Sequence, residues 1–201
     1  MDRRQFFRQA ARRTARTALD EAARRVEARA RHWFRPPFAL PELDFLLACT
    51  RCGACVEACP EGLIFPLPAR RGAQVVNTPA LDLINRACRL CEDWPCVAAC
   101  EPGALRRPEP GEDGAGPRPR LAAAAIDPLA CLPYRGPECG ACAGSCPVPG
   151  ALLWDGERPR IDPAACTGCG ACRAACISRP PAVRLQPVGP ADGHGEAKSA
   201  P

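Results

Sequence analysis

The sixteen cysteines of this 201-residue chain fall into four groups of four, and none is left over. The first and last groups share the spacing C-x2-C-x2-C-x3-C. The second group lengthens the middle gap to four residues, and the third lengthens its first gap to seven. The groups, called motifs one to four, are Cys49, Cys52, Cys55 and Cys59; Cys88, Cys91, Cys96 and Cys100; Cys131, Cys139, Cys142 and Cys146; and Cys166, Cys169, Cys172 and Cys176.

The spacing C-x2-C-x2-C-x3-C is typical of the thiolate runs that hold [4Fe-4S] cubes in bacterial ferredoxins. In such runs three closely spaced thiolates bind one cube, and the fourth reaches a neighbouring cube. Four runs therefore predict four [4Fe-4S] clusters, with all sixteen cysteines as ligands. Glycine allows the backbone to approach a cluster closely, and it occurs beside the ligands at Gly53, Gly140, Gly168 and Gly170.

Two other uses of cysteine fit the same composition, a disulfide scaffold and structural zinc sites. All-cysteine zinc sites usually combine two separated C-x2-C units. Here four cysteines crowd into each motif. The crowding favours iron–sulfur clusters over both alternatives.

Large apolar side chains are scarce, since Leu, Ile, Val and Phe together number 36 of 201 residues. So low a share would normally suggest disorder, so the clusters must substitute for much of a core. The sequence contains no run of about 18 apolar residues, the length needed to cross a membrane, and no glycine-rich phosphate loop. We therefore expect neither a membrane span nor a nucleotide site.

Residues 1–35 form an arginine-rich arm. They contain eleven Arg against four acidic residues, a balance of +7, whereas the rest of the chain carries −2. The arm has no Gly or Pro, and apolar or small residues recur in it every three or four positions, which predicts a long amphipathic helix. These residues are Phe7, Ala10, Thr14, Ala18, Ala22, Val26, Ala30 and Trp33.

The small side chains of this stripe favour packing on the protein body or docking to a partner over binding to a membrane surface. Arginine also contacts phosphate, but the arm contains no known nucleic-acid-binding module, so we expect no nucleic-acid partner. Residues 2–8, DRRQFFR, look like a twin-arginine export motif. An export motif of this kind should be followed by an apolar segment. Here it is followed by the charged residues Arg12, Arg13 and Arg16. We expect a cytoplasmic location, with the periplasm as the alternative.

The remainder divides into a cluster-binding domain at 36–186 and a tail at 187–201 that we expect to be disordered. Within the domain, residues 106–120 are rich in Pro, Gly and charge and predict a connector loop. Asp155 and Gly156, between apolar residues 152–154 and residues 158–161, carry the signal of a β-hairpin.

Several segments resemble the MauM/NapG ferredoxin-type proteins of methylamine-utilisation and periplasmic nitrate reductase systems. They are residues 88–105 (CRLCEDWPCVAACEPGAL), residues 131–147 (CLPYRGPECGACAGSCP) and residues 165–187. Residues 35–39 (RPPFA) resemble the related NapF proteins. The resemblance implies a polyferredoxin that is not itself an enzyme. It would pass single electrons to or from an oxidoreductase and meet redox partner proteins such as a molybdoenzyme or a quinol-oxidising membrane subunit. The alternative is a cytoplasmic assembly factor for a molybdoenzyme.

These families are similar to the four-cluster beta subunits of molybdoenzymes. That similarity implies an α+β fold of two ferredoxin-like modules with short helices and hairpins, after a long N-terminal helix. It also implies that the outer motifs pair with each other and the inner motifs with each other; pairing in sequence order is the alternative. The implied ligand sets are Cys49, Cys52, Cys55 and Cys176; Cys88, Cys91, Cys96 and Cys146; Cys131, Cys139, Cys142 and Cys100; and Cys166, Cys169, Cys172 and Cys59.

Overall fold

The computed structural model describes residues 3–30, 32–109 and 116–188 of the chain. Residues 110–115 of the expected connector and 189–201 of the expected tail lie outside this part. The connector residues on either side, 106–109 and 116–120, form neither helix nor strand. None of the helices in the described ranges is both long and apolar enough to cross a membrane.

The N-terminal arm is a single helix, α1 (Arg3–Ala30). Its residues 12–20 are exposed on every side, including Leu19, which is 62% exposed. Contact with the body is made near the C-terminal end, where Ala30 and the following Trp33 are buried against Leu67, Val75 and Ala80. Among the stripe residues whose side chains the structure describes, packing against the protein body is therefore seen in the last turns of the helix and just after it. The side chains of Arg3, Arg4, Phe7 and Ala10 lie outside the described part.

Residues 34–109, called module one, contain motifs one and two. Three helices and one hairpin build it: α2 (Glu42–Ala48), α3 (Ala54–Glu57), the antiparallel strands β1 (Ile64–Pro66) and β2 (Pro79–Leu81), and α4 (Pro95–Ala98). A short 3-10 helix, Ala69–Arg71, lies in the hairpin connection. An antiparallel bridge between Ala39 and Leu105 joins the beginning of the module to its end.

Residues 116–188, called module two, contain motifs three and four and repeat this plan. In order they form β3 (Ala123–Ile126), α5 (Leu132–Arg135), β4 (Leu152–Asp155), β5 (Arg158–Ile161), α6 (Ala171–Ala174) and β6 (Val183–Gln186). The expected Asp155-Gly156 hairpin is confirmed, because β4 pairs antiparallel with β5 around Gly156, whose φ is +58°. Strand β6 returns to pair with β3, so this module also closes its end onto its beginning.

The two modules share one apolar core. Phe45, Leu63 and Leu83 of module one are fully or almost fully buried, and they belong to the same cluster as Leu121 and Val183 of module two. A backbone hydrogen bond of 2.8 Å, from the Cys88 N–H to the Cys169 carbonyl, also crosses the junction. The core thus holds the motif-two loop against the motif-four loop.

Candidate iron–sulfur site

All sixteen cysteines are free, so the structure contains no disulfide bond between them. Most of them are half-buried, and Cys55, Cys96, Cys131 and Cys169 are buried. Cys52 alone is exposed. The thiols therefore line the interior of the two modules, with one edge open to solvent.

The thiols form four sets, each with three members from one motif and one from another. Set A consists of Cys49, Cys52, Cys55 and Cys100, which line one pocket. Set B consists of Cys59, Cys88, Cys91 and Cys96, which line a second. Set C consists of Cys131, Cys139, Cys142 and Cys176, which line a third. Set D consists of Cys146, Cys166, Cys169 and Cys172, because burial and the nearby Cys146 thiol together raise the pKa of each of the other three.

The fourth member of each set differs from the one that the beta-subunit similarity implied. Cys176 does not lie with motif one but with motif three, and Cys100 lies with motif one. Likewise Cys59 lies with motif two and Cys146 with motif four. The cause is topological, because each hairpin turns the chain back within its own module and brings the next motif to the end of the preceding one. Motifs therefore pair in sequence order, the alternative left open by the spacing.

Three short helices present the third cysteine of motifs one, two and four. Each begins after a residue with positive φ: Gly53 at +81°, Trp94 at +46° and Gly170 at +83°. The left-handed conformation suits glycine, and it turns the ligand loop directly into the helix. Of the other two glycines expected to serve these loops, Gly168 has a φ of +70°, whereas Gly140 is not in the left-handed region.

Trp94 is the exception because it adopts this conformation with a side chain. Its indole packs edge-on against Phe38, with 4.9 Å between the ring centroids. Edge-to-face contacts of this kind stabilise by about 0.5–1.5 kcal/mol. Residues 35–39, singled out in the sequence, therefore support the enlarged second gap of motif two.

The seven-residue gap of motif three contains helix α5, which directly follows Cys131. Its Tyr134 hydroxyl donates a 3.0 Å hydrogen bond to the Pro159 carbonyl on β5. The guanidinium of Arg158 lies 5.5 Å from the centre of the Tyr134 ring. The insertion thus fixes the first ligand of set C to the hairpin of module two.

Burial makes the free thiols poor acids. Burial, together with the smaller effect of neighbouring thiols, raises the pKa of Cys55 to about 11 and that of Cys96 to about 12. It likewise raises the pKa of Cys88 to about 11 and that of Cys172 to about 12. A set of four buried thiolates is therefore costly unless a positive charge lies among them.

Backbone N–H groups offset part of this cost. Leu105 donates to the Cys100 sulfur at 3.4 Å, Ala182 to the Cys176 sulfur at 3.3 Å, and Gly168 to the Cys166 sulfur at 3.3 Å. At Cys176, burial acts to raise the pKa, but hydrogen bonds from the Ala182 and Ser178 backbone outweigh it, and the pKa is lowered. Such N–H donors stabilise sulfur that carries negative charge.

These observations fit a [4Fe-4S] cube in each set. Each set supplies four thiols, the number of ligands that a cube needs. Cationic iron would stabilise thiolates that burial alone makes costly, and backbone N–H groups donate to ligand sulfurs. Apolar residues after the fourth cysteine of each motif are buried, among them Leu63, Ala104, Ala151 and Ala182. They reduce solvent access to the sets.

Comparison with known proteins agrees with this division of the chain. Residues 48–104 and residues 123–177 each match the family of 4Fe-4S dicluster domains. Each matched stretch contains two consecutive motifs and lies within one module. The protein therefore contains two 4Fe-4S dicluster domains of the ferredoxin type.

Similar proteins extend the match over most of the chain. A methylamine utilization ferredoxin-type protein MauM from Paracoccus denitrificans is 38% identical over 85% of this chain and 77% of its own length. Ferredoxin-type protein NapG of Escherichia coli is 35% identical over 79% of this chain and 72% of its own length. Ferredoxin-type protein NapF of Escherichia coli is 33% identical, with coverages of 74% and 82%. No solved structure matches the chain. The chain belongs to the family of MauM/NapG/NapF-type ferredoxins.

Proposed function

We propose that the protein binds four [4Fe-4S] clusters, one in each of sets A to D, and passes single electrons between a donor and an acceptor protein. The observation that carries this proposal is the grouping of all sixteen thiols into four complete sets. Bound clusters would supply reversible one-electron chemistry. The chain itself would supply position, spacing and environment.

The sets follow one another in a defined order, which is indicated by the electrostatic influence of one thiol on another and by one backbone hydrogen bond. Cys55 of set A is close enough to Cys96 of set B to raise its pKa. The Cys88 N–H of set B bonds the Cys169 carbonyl of set D. Cys142 of set C, in turn, raises the pKa of Cys172 in set D. The proposed route is therefore A, B, D, C, which differs from the order of the motifs along the chain.

We further propose that one end of this route meets an oxidoreductase. The names of the MauM relatives refer to methylamine utilization, so an oxidoreductase of that type, or of the nitrate reductase type, is the partner class we favour. The protein would act as an electron carrier or an electron-transfer subunit, with the redox chemistry of the substrate located in its partner.

The test is anaerobic purification followed by iron, sulfide and zinc analysis. We expect about 16 Fe and 16 sulfide per chain, since each cube holds about four of each. Reduction should be reversible and should give electron paramagnetic resonance signals from interacting clusters. Stoichiometric zinc without sulfide would contradict the proposal, as would clusters that cannot be reduced and reoxidised.

A further inference from the structure

The described part of the arm carries an unusual surface of exposed arginines. Residues 12–29 contain six arginines and three acidic residues, and the side chains of all six arginines are exposed. Arg24 and Arg25 both pair with Glu21. The remaining four, Arg12, Arg13, Arg16 and Arg29, make no ion pair with any residue that the structure describes.

The base of this arm is fastened beside set A. Arg29 donates a hydrogen bond of 3.1 Å to the Gln74 side chain. From the other side, Arg51 donates to the backbone carbonyls of Gln74 and Val76 at 3.0 and 3.1 Å. Arg51 directly precedes Cys52 in the set A loop. Two arginines therefore clamp one short segment between the arm and the ligand loop.

Set A is also where the row of thiol sets comes closest to solvent. Cys52 is exposed, whereas every other cysteine is half-buried or buried. Electron transfer between proteins needs a cofactor near the surface at the point of contact. The arm and the most accessible edge of the proposed route thus lie side by side.

We propose that α1 from Arg12 to Arg29, together with Arg51 and Cys52, forms a docking surface for an acidic one-electron carrier protein, and that electrons pass through set A at this surface. The proposal rests on the proposed function. It adds the end of the route that is used and the kind of partner that uses it.

The charge of this docking surface and the size of its exposed side chains indicate which kind of partner binds it. The exposed arginines are complementary to a protein surface rich in Asp and Glu, and such complementarity raises association rates by about 10- to 1,000-fold. A membrane surface fits poorly, because Leu19 is the only large apolar side chain that is exposed in the described part of the arm, and interfacial helices bury bulky apolar faces. An 18-residue helical segment is also about 27 Å long, enough to extend the basic surface well beyond the edge of set A.

The experiment uses the full holoprotein and flavodoxin, an acidic protein that carries single electrons on a flavin. Binding of oxidised flavodoxin is measured by calorimetric titration at low and high salt, and cluster reduction by flavodoxin hydroquinone is followed by stopped flow. The test variant is Arg12→Glu/Arg13→Glu/Arg16→Glu. The matched control, Arg107→Glu/Arg118→Glu/Arg160→Glu, makes the same change of charge at exposed arginines outside the arm.

We expect the arm variant to bind flavodoxin at least about tenfold more weakly and to be reduced about tenfold more slowly at low salt, with little difference at high salt. The control variant should behave as the parent protein does. Reduction by dithionite, which needs no docking, should be equal in all three. Equal flavodoxin binding by the arm variant and the parent, or an equal loss in both variants, would overturn the proposal.

A conservative variant locates the contact. The only lysine in the sequence is Lys198, so Arg16→Lys keeps the charge and adds an amine that a zero-length carbodiimide reagent joins to a carboxylate. We expect a cross-link from residue 16 to flavodoxin. Cross-linking or sedimentation could instead show a salt-sensitive dimer of this chain. The docking surface would then bind a second copy of the chain and not an acidic carrier, and the proposal would be refuted. Because binding and cross-linking need no cluster signal, failure of docking is distinguishable from failure of the proposed function, which the iron and sulfide analysis decides.

Discussion

Cys100 and Cys176 occupy equivalent places in the two modules. Each is the last cysteine of its module, and each accepts a backbone N–H bond from a residue shortly after it, Leu105 or Ala182. Each also completes the set formed by the preceding motif of the same module. The positions of these two residues therefore distinguish pairing in sequence order from the outer-and-inner pairing.

Iron content in double variants tests this assignment. Cys49→Ala and Cys100→Ala should each remove about four iron atoms, since one cube holds about four. The double variant should also lose about four, because both residues belong to set A. Cys49→Ala combined with Cys176→Ala should lose about eight, since the two changes affect sets A and C independently. Iron and sulfide analysis measures each loss, and the reverse pattern would restore the outer-and-inner pairing.

Gly168 illustrates a second residue-scale constraint. A Cβ atom there would lie 2.0 Å from the Ala122 carbonyl oxygen, in addition to the strain of a positive φ. Gly53 has a similar φ but no atom within 4 Å of such a Cβ. We expect Gly53→Ala to cost about 1–2 kcal/mol, from backbone strain alone. Gly168→Ala should cost about 1–3 kcal/mol more, because the backbone must move apart.

The measurement is the urea midpoint for loss of the visible cluster absorbance, which falls as stability falls. The two variants differ only in what surrounds the added methyl group. Equal midpoints would show that Ala122 yields without cost and that backbone strain accounts for the whole effect.

The candidate ligands can be predicted from sequence because they are a local property of each loop. The spacing from Cys49 to Cys59 describes how one loop wraps one site. It says nothing about which later cysteine returns to that site. The return is decided by the β1–β2 hairpin and by the bond from the Asp82 N–H to the Leu63 carbonyl, which bring motif two to the end of motif one. The pairing is therefore settled by elements between the motifs.

At the scale of elements, the arm divides into an exposed length and an anchored end. Trp33 is 8% exposed and packs with Ala30, Leu67 and Val75, whereas Leu19 is 62% exposed. Trp33→Ala should destabilise the protein by about 3–5 kcal/mol, as is usual for a buried tryptophan. Leu19→Ala should change stability by less than about 0.5 kcal/mol.

Urea unfolding followed by circular dichroism compares the two variants. Both should keep the iron content of the parent in the absence of urea, because neither residue touches a thiol set. A loss of stability for Leu19→Ala as large as that for Trp33→Ala would mean that the exposed length of α1 packs on the body in solution.

Some elements follow from short sequence signals and others do not. The Asp155-Gly156 turn is visible in the sequence because a positive φ is needed at one position and glycine supplies it. The long helix follows from a stretch without Gly or Pro, but its periodicity overstates the apolar contact, since Ala18 and Ala22 of the stripe are exposed. Alanine occurs on exposed and buried helix faces alike, so such a stripe does not identify the packed side. Helix α5 has no clear signal, because Pro133 and Gly136 within the long gap also suit a loop.

At the scale of the whole molecule, the junction between the modules controls the middle of the proposed route. Sets B and D meet there through the bond from Cys88 to Cys169. Gly170 makes the close approach possible, because a Cβ there would lie 3.3 to 3.4 Å from the carbonyl oxygens of Arg86 and Leu83. The distance between the two halves of the route thus depends on a few contacts in the ligand loops.

Arg173 is the polar clamp of this junction, and its removal tests the route. Its Nε donates to the Ile84 carbonyl of module one at 3.2 Å, and its Nη1 donates to the Val183 carbonyl of module two at 2.5 Å. Hydrogen bonds from a charged group contribute about 1.5–3 kcal/mol each. We therefore expect Arg173→Ala to loosen the junction, to weaken the magnetic interaction between reduced clusters and to slow electron equilibration between modules, with iron content unchanged.

The matched control is Arg89→Ala in the motif-two loop. Arg89 is 73% exposed, and among the described residues its one ion-pair partner is Glu61, at 3.3 Å. An exposed pair of this kind contributes at most about 1 kcal/mol. Electron paramagnetic resonance of the fully reduced protein and freeze-quench kinetics should separate the two variants, and Arg173→Lys should recover part of the effect. If Arg173→Ala and Arg89→Ala behave alike, the Arg173 side chain does not set the spacing of sets B and D, and the apolar core that the two modules share holds the junction without it.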